Sequence, residues 1–363
     1  MVGSWLAQPP GEWRLGYRPH LDGLRAAAML AVLVDHAQLI RGGGGTVGVT
    51  SFFVLSGYLI TSLLLQEKAD TGAIRLRAFY FRRAIRLLPA LVIVCVASAA
   101  LLAIQGDPRR GIETSLAGLA YISSWLVAGG TNLGPIGHTW SLSVEEHFYF
   151  TWPLLFLLLA AVGRQRLALT LVAVAVLVTV WRTLALLSGW PPVRIGMGID
   201  MQADGLLVGC ALALVADRVR VPRLALAGGL LMLAALTVAP MMVITWPLTI
   251  LAAAAVIIGG IQHSDRLLGP ALVHPVTRHL GRISYGIYLW HYPVMWFSGV
   301  INGSFTLSLA LVTIATAVVL AELSYWLVER PLLSWSRNRR GHSRKPQPAP
   351  IGLDDRVFAD PTS

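Results

Sequence analysis

Apolar runs of about 18 to 25 residues recur from near the start of the chain to residue 328, and this feature restricts the fold more than any other. A run of that length crosses roughly 30 Å of hydrocarbon as a helix. Inside lipid every backbone N–H and C=O needs a partner within the protein, which leaves helices or a closed barrel. The runs are continuous rather than alternating. The expected fold is therefore all-α, a polytopic transmembrane helical bundle. Composition agrees: only 13% of the 363 residues are charged, against about 25% for a soluble globule.

Apolar segments fall at 23–40, 46–66, 87–106, 113–127, 141–162, 167–187, 200–216, 224–240, 247–262, 283–300 and 305–328. If all eleven crossed, the basic loops would alternate badly between the two sides. The segment 113–127 is the shortest, about fifteen residues, and is short for a crossing. With it non-spanning, the N-terminus, the 67–86 loop, Arg164/Arg166, Arg218/Arg220/Arg223, Arg266/Arg278/Arg282 and the tail share one side. The other side keeps only Arg41, Arg109, Arg110 and Arg194. The positive-inside bias makes the crowded side cytoplasmic. The expectation is about ten spanning helices, a short re-entrant or interfacial helix near 113–127, and both termini in the cytoplasm. The net charge of +11 is spread over these loops, which excludes a nucleic-acid patch. Residues 1–18 read as a cytoplasmic N-terminal segment with no cleavable signal peptide, 19–335 as the transmembrane domain, and 336–363 as a disordered cytoplasmic tail. Cys95 and Cys210 lie inside apolar segments and suit neither a disulfide nor a metal site.

Ionisable residues within membrane helices are costly and mark function by default. The first helix holds Asp22, Arg25, Asp35 and His36. Arg25 and His36 are eleven residues apart, which places them within about 20° of one line and roughly 16 Å apart along the axis. Taken singly, Arg25 could be a helix-end residue paired with Asp22, and His36 a packing histidine. Ser56-Gly57 in the second segment favours close helix approach. In the following loop Arg82, Arg83 and Arg86 stand at a helix entrance, with Arg82 and Arg86 one turn apart. Their guanidinium forks match phosphate oxygens and could cradle a polyanionic cofactor.

The stretch from His138 to Tyr149 opens another helix. Ser143 and Glu146 have capping-box spacing, which leaves Glu145, one turn before Tyr149, without a structural explanation. His291 lies well inside a late helix. Asp200 and Asp204 read as capping or solvated residues, and Glu329-Arg330 as the stop of the last helix. His263, His274 and His279 share a loop, but their spacing is not that of a metal site.

Together these residues resemble acyltransferase family 3, membrane proteins that modify lipopolysaccharides, exopolysaccharides, other glycans and some antibiotics. The resemblance rests on Leu21-Asp22-Gly23-Leu24-Arg25 with His36, then Phe52-Phe53-Val54-Leu55-Ser56-Gly57-Tyr58, then Arg82-Arg83-Ala84-Ile85-Arg86-Leu87-Leu88-Pro89. It continues through Trp140-Ser141-Leu142-Ser143-Val144-Glu145-Glu146, Ser284-Tyr285 with Tyr288-Leu289-Trp290-His291, and Glu329-Arg330-Pro331. It covers about residues 19–335. His147 departs from the pattern, because the family usually has glutamine there. The hydrolase-like domain that some members carry is not expected here.

The resemblance implies a bacterial inner-membrane O-acyltransferase that moves an acyl group, usually acetyl, from cytoplasmic acyl-CoA to a hydroxyl of a cell-envelope glycan or related acceptor. Such a transfer needs a base, oxyanion stabilisation and alignment of both substrates. His36 is the candidate base, because imidazole titrates near neutrality. Arg25 would steady the donor or oxyanion, and Glu145 would orient a histidine or the acceptor. Arg82, Arg83 and Arg86 would hold CoA phosphates. Ser56, Tyr149 and His291 are candidate substrate contacts. No metal or nucleic acid is expected, and membrane lipid is the surrounding partner. The rival reading is a transporter or flippase, in which buried Arg and His mark a substrate path. It usually brings internal repeats, and none is visible.

Overall fold

The computed structural model describes residues 18–40, 42–240, 242–263 and 269–341. The expectations for the N-terminal segment to residue 17, Arg41, Arg266 and the tail beyond 341 lie outside these. The described residues form helices and no strand. In chain order they are α1 (Pro19–His36), α2 (Gly44–Thr71), α3 (Leu76–Ile104), α4 (Pro108–Leu119), α5 (Ser123–Ala128) and α6 (Trp140–Leu158). There follow α7 (Arg164–Leu187), α8 (Pro192–Met197), α9 (Ile199–Val215), α10 (Arg223–Val238) and α11 (Thr245–Gln262). The last are α12 (Gly269–Leu272), α13 (Pro275–Phe297), α14 (Leu307–Ser324) and α15 (Arg330–Gly341).

Six helical stretches among the described residues are long and apolar enough to cross a membrane: Gly44–Thr71, Leu76–Ile104, Arg164–Leu187, Pro192–Val215, Thr245–Gln262 and Leu307–Trp335. The surfaces of α3, α7 and α14 carry large exposed side chains such as Val96, Leu177, Leu311 and Val312. Apolar faces of that extent suit lipid, not water. α1 and α13 are less apolar because they carry the charged and polar residues of the site.

Contact register gives the helix directions. α1 and α13 run parallel, with Arg25 beside Ser284 and His36 beside His291. α2 and α9 also run parallel and touch backbone to backbone. A Cβ at Gly57 would strike the Leu206 carbonyl, and one at Gly209 the Val54 carbonyl. Small residues in reciprocal positions allow that approach. α6 runs with α2, because Glu145 meets Ser56 and Trp152 Nε1 donates to Thr61 Oγ1 at 2.9 Å. It runs against α3, because Arg83 meets Glu146 and Tyr80 reaches the Phe150 carbonyl.

The segment expected as one short helix is two. α4 folds back along α3, where Ser115 Oγ donates to the Cys95 carbonyl at 2.9 Å. Twelve residues advance only about 18 Å. The chain then reverses at Tyr121, whose φ of 56° lies in the left-handed region. After α5 a 3₁₀ turn, Gly134–Thr139, leads into α6. Because Arg83 faces Glu146 in antiparallel register, Trp140 starts α6 beside the middle of α3. The chain between α3 and α6 thus folds back to the middle of α3 before α6 begins.

Three expectations are corrected. Ser143 does not cap α6, which starts three residues earlier; its hydroxyl donates to the Tyr121 carbonyl and fastens the turn between α4 and α5. Glu146 is therefore free to pair with Arg83. Glu329-Arg330 does not stop the last helix: a π-helical turn, Tyr325–Glu329, passes into α15, and Glu329 is buried. The region placed in a disordered tail from residue 336 remains helical to Gly341.

Candidate active site

The site is organised by the parallel packing of α1 on α13. Gly281 lets α13 approach the Asp22 carbonyl, and from that contact the two helices stay together along their length. Arg25 and His36 both face α13, as the eleven-residue spacing requires. Arg25 Nε donates to Ser284 Oγ at 3.2 Å. His36 Nδ1 lies 3.0 Å from His291 Nε2. Ser284 and His291 are two turns apart on α13.

Beside this pair lies a cavity of about 260 Å³. It follows α2 from Val49 to Leu63, fourteen residues or about 21 Å of helix. Polar groups from six segments line it: Arg25 on α1, Ser56 on α2, Arg83 with Arg86 on α3, Tyr121 at the turn before α5, Glu145 with Tyr149 on α6, and Ser284 with Tyr288 on α13. Ser56 Oγ donates to Glu145 Oε1 at 2.6 Å. Arg83 donates to Glu146 Oε1 through Nε at 2.8 Å and Nη2 at 2.7 Å. Its guanidinium carbon also lies 3.1 Å above the Tyr149 ring centroid, a cation–π contact. Arg86 opens into the same space. Among the described residues it has no carboxylate within ion-pair distance.

The structure divides the expected phosphate cradle. Arg83 and Arg86 line the cavity, three positions apart on α3. Arg82 turns away and pairs with Glu67 at 3.1 Å. One helical turn relates 82 to 86 as well as 83 to 86, so spacing alone could not choose the face. His147 Nδ1 donates to the Ser143 carbonyl of its own helix at 2.7 Å, and its ring meets Trp125 edge-on.

His36 and His291 lie outside the cavity, at the α2 end that begins near Val49. Tyr288 stands between. Its hydroxyl lies 2.6 Å from Ser141 Oγ and donates to the His138 carbonyl at 2.9 Å. Its ring is 5.2 Å from that of His291. The cavity and the histidines thus form one polar column interrupted by the Ser141–Tyr288 contact.

Two functional or structural side chains were missed in the sequence. His138 is buried on the 3₁₀ turn, packed face to face on Tyr292 at 5.0 Å and edge-on to His291 at 5.4 Å. Only the folding back of α4 and α5 along α3 brings it there, and nothing local announces it. Arg182 is buried in α7. It binds Asp204 through Nη1 at 3.2 Å and Nη2 at 2.6 Å and lies 4.8 Å from the Trp246 ring. Asp204 is therefore not a solvated residue; Asp200, which binds Arg194 in an exposed pair, fits that reading. A lone arginine in an apolar run was the available signal for Arg182.

The fold and the site define a many-helix protein with membrane-length apolar helices and an arginine, histidine and carboxylate site held between them. The family model for the acyltransferase domain, Acyl_transf_3, matches residues 18–326, and the chain belongs to this family. It is 33% identical over 349 residues to the peptidoglycan O-acetyltransferase OatA of Listeria monocytogenes serovar 1/2a, an alignment that covers 87% of this chain and 56% of the relative. It is 33% identical to the putative peptidoglycan O-acetyltransferase YrhL of Bacillus subtilis strain 168, covering 87% and 55%. It is 31% identical over 364 residues to the putative O-acetyltransferase SAS0844 of Staphylococcus aureus strain MSSA476, covering 88% and 58%. The chain spans a little over half the length of these curated relatives. No solved structure matches it.

Proposed function

We propose that the chain is a bacterial cell-membrane O-acyltransferase that moves an acetyl group from acetyl-CoA to a hydroxyl of a cell-wall glycan. The observation that carries this reading is the alignment of Arg25 and His36 on α13, beside a cavity that also holds Arg83, Arg86 and Glu145. Ten helices, α1, α2, α3, α6, α7, α9, α10, α11, α13 and α14, cross the membrane, with both termini in the cytoplasm. The parallel pairs α1–α13, α2–α9 and α2–α6 and the antiparallel pair α3–α6 support this reading. The segment α4–α5 enters from outside and returns.

In this reading Arg83 and Arg86, near the cytoplasmic start of α3, receive CoA phosphates through charge-assisted hydrogen bonds. The acyl arm follows the cavity along α2 past Arg25, Ser56 and Glu145 towards Tyr288. His36 takes the proton from the acceptor hydroxyl. Its oxygen attacks the thioester carbonyl, and collapse of the tetrahedral adduct releases the CoA thiolate. That thiolate then takes the proton from His36. Tyr149 and Glu145 align the donor, and Arg25 offsets the negative charge that develops on the carbonyl oxygen. The acceptor class follows the names of the relatives.

The test is His36→Gln. An amide keeps one hydrogen bond but cannot take a proton near neutral pH, and general-base catalysis is worth about 10²–10⁴-fold. Base-labile acetyl on isolated cell wall should fall by that order in cells complemented with the variant, while protein amount and acetyl-CoA binding persist. Near-normal acetylation would remove His36 as the base.

A further inference from the structure

We infer that His291 is the positioning residue for His36: it fixes the tautomer of the His36 ring and leaves His36 Nε2 as the bare nitrogen. This inference rests on the reading of His36 as the base and changes the role of His291 from a substrate contact to a support.

The argument is one of hydrogen-bond direction. His291 Nδ1 lies 2.5 Å from the Tyr288 carbonyl oxygen. A carbonyl can only accept, so His291 Nδ1 carries a proton. A neutral imidazole carries one N–H, so His291 Nε2 is an acceptor. The 3.0 Å contact with His36 Nδ1 then requires His36 to donate. His36 Nδ1 is protonated, and its single remaining lone pair is on Nε2. The two rings lie 4° from parallel with centroids 5.2 Å apart. That separation fits two imidazoles joined edge to edge in one plane, which is the favourable direction for the bond.

The environment supports the assignment. The groups that face this pair are His138 on the 3₁₀ turn, Tyr288 and Tyr292 on α13, and Asp35 on α1. The Asp35 carboxylate is held by the backbone N–H groups of Gly42 and Gly45, and among the described residues no carboxylate is bonded to either ring. His36 Nε2 faces Gly45, where a Cβ would lie 3.5 Å from it. The absence of a side chain there leaves the bare nitrogen approachable from the start of α2. A histidine orienting a histidine performs the task that a carboxylate performs in a Ser-His-Asp triad. When His36 gains the hydroxyl proton on Nε2, its Nδ1–H stays bonded to His291 Nε2, and His291 keeps its own proton on Tyr288. The ring does not have to turn before returning the proton to the leaving thiolate.

Two measurements test this on the full-length protein. The first is ¹⁵N spectroscopy of histidine-labelled protein in detergent, which separates bare from protonated ring nitrogens. The expected result is a protonated Nδ1 and a bare Nε2 on His36. In His291→Leu that preference should be lost, and in His291→Gln retained, because the amide oxygen accepts from Nδ1–H. The second is release of free CoA thiol from acetyl-CoA in native membrane vesicles, which contain the acceptor. His291→Leu should lower kcat by about 10²-fold, within the range for a lost general base, with KM for acetyl-CoA unchanged. His291→Gln should recover most of the loss. A protonated Nε2 on wild-type His36, a His36 tautomer unaltered in His291→Leu, or a Gln variant as inactive as the Leu variant would each overturn the inference. Failure of His36 as the base would show instead as turnover in His36→Gln, and the ¹⁵N result on the wild type would still stand or fall by itself.

Discussion

Ser56 on α2 donates its hydroxyl hydrogen to Glu145 Oε1 on α6 at 2.6 Å, inside the cavity that Arg25 and Arg83 also line. The contact joins two parallel helices, which Trp152 and Thr61 also connect. A hydrogen bond to a charged group contributes about 1.5–3 kcal/mol. Ser56→Ala should lower the apparent unfolding temperature in detergent, and Glu145→Gln should lower it less, because the amide oxygen still accepts. The double variant should be less destabilised than the sum of the two, a coupling measurable by a thermal double-mutant cycle. Additive effects would show that the contact contributes nothing.

The Arg182–Asp204 pair should matter to stability and not to chemistry. Both side chains are almost wholly buried, and Thr179 Oγ1 donates to Asp204 Oδ2 at 3.0 Å. Removing one partner from such a pair costs about 3–5 kcal/mol, because the other charge stays buried. Asp204→Asn should therefore reduce the amount of folded protein in membranes, read by fluorescence-detected chromatography. Arg182→Met with Asp204→Leu should recover much of it. Greater loss in the double variant than in the single would refute this account.

The division of the basic cluster gives a discriminating test of donor binding. Arg86→Ala should weaken acetyl-CoA binding by about ten- to a hundredfold, the equivalent of one charge-assisted bond. Arg86→Lys should recover part of this, since it lacks the bidentate fork. Arg82→Ala should leave the affinity within about twofold, because Arg82 is engaged with Glu67 on the far face. Titration calorimetry with the purified protein reads all three. Equal loss at 82 and 86 would place the CoA phosphates elsewhere.

The proposed re-entrant course of α4 and α5 makes a topological prediction. The turn at Gly106–Asp107 and the turn at Gly130–Thr131 should lie on the same side of the membrane. Cysteines placed at 107 and 131 should both react with an impermeant maleimide added outside intact cells. Cys95 and Cys210 are buried and provide little background. Labelling of only one position would make the segment a true crossing.

The sequence alone determined the helical class, because runs of membrane length carry their own hydrogen-bonding requirement. It also determined that Arg25 and His36 share one face, because an eleven-residue interval on a regular helix leaves little freedom in direction. The family followed from motifs whose order is linear. None of these depends on how distant segments meet.

Tertiary structure decided the rest. Whether Arg82 or Arg83 joins Arg86 depended on the placement of α6 and Glu67, since both spacings fit one helical turn. Ser143 and Glu146 have the local pattern of a cap, but the start of α6 at Trp140 puts them inside the helix, where Tyr121 and Arg83 claim them. His138 reaches His291 only because the chain turns back half-way along α3. The partner of His36 lies 255 positions away. Local spacing fixes the direction in which a side chain leaves its helix, and the packing of helices from distant parts of the chain fixes what that side chain meets.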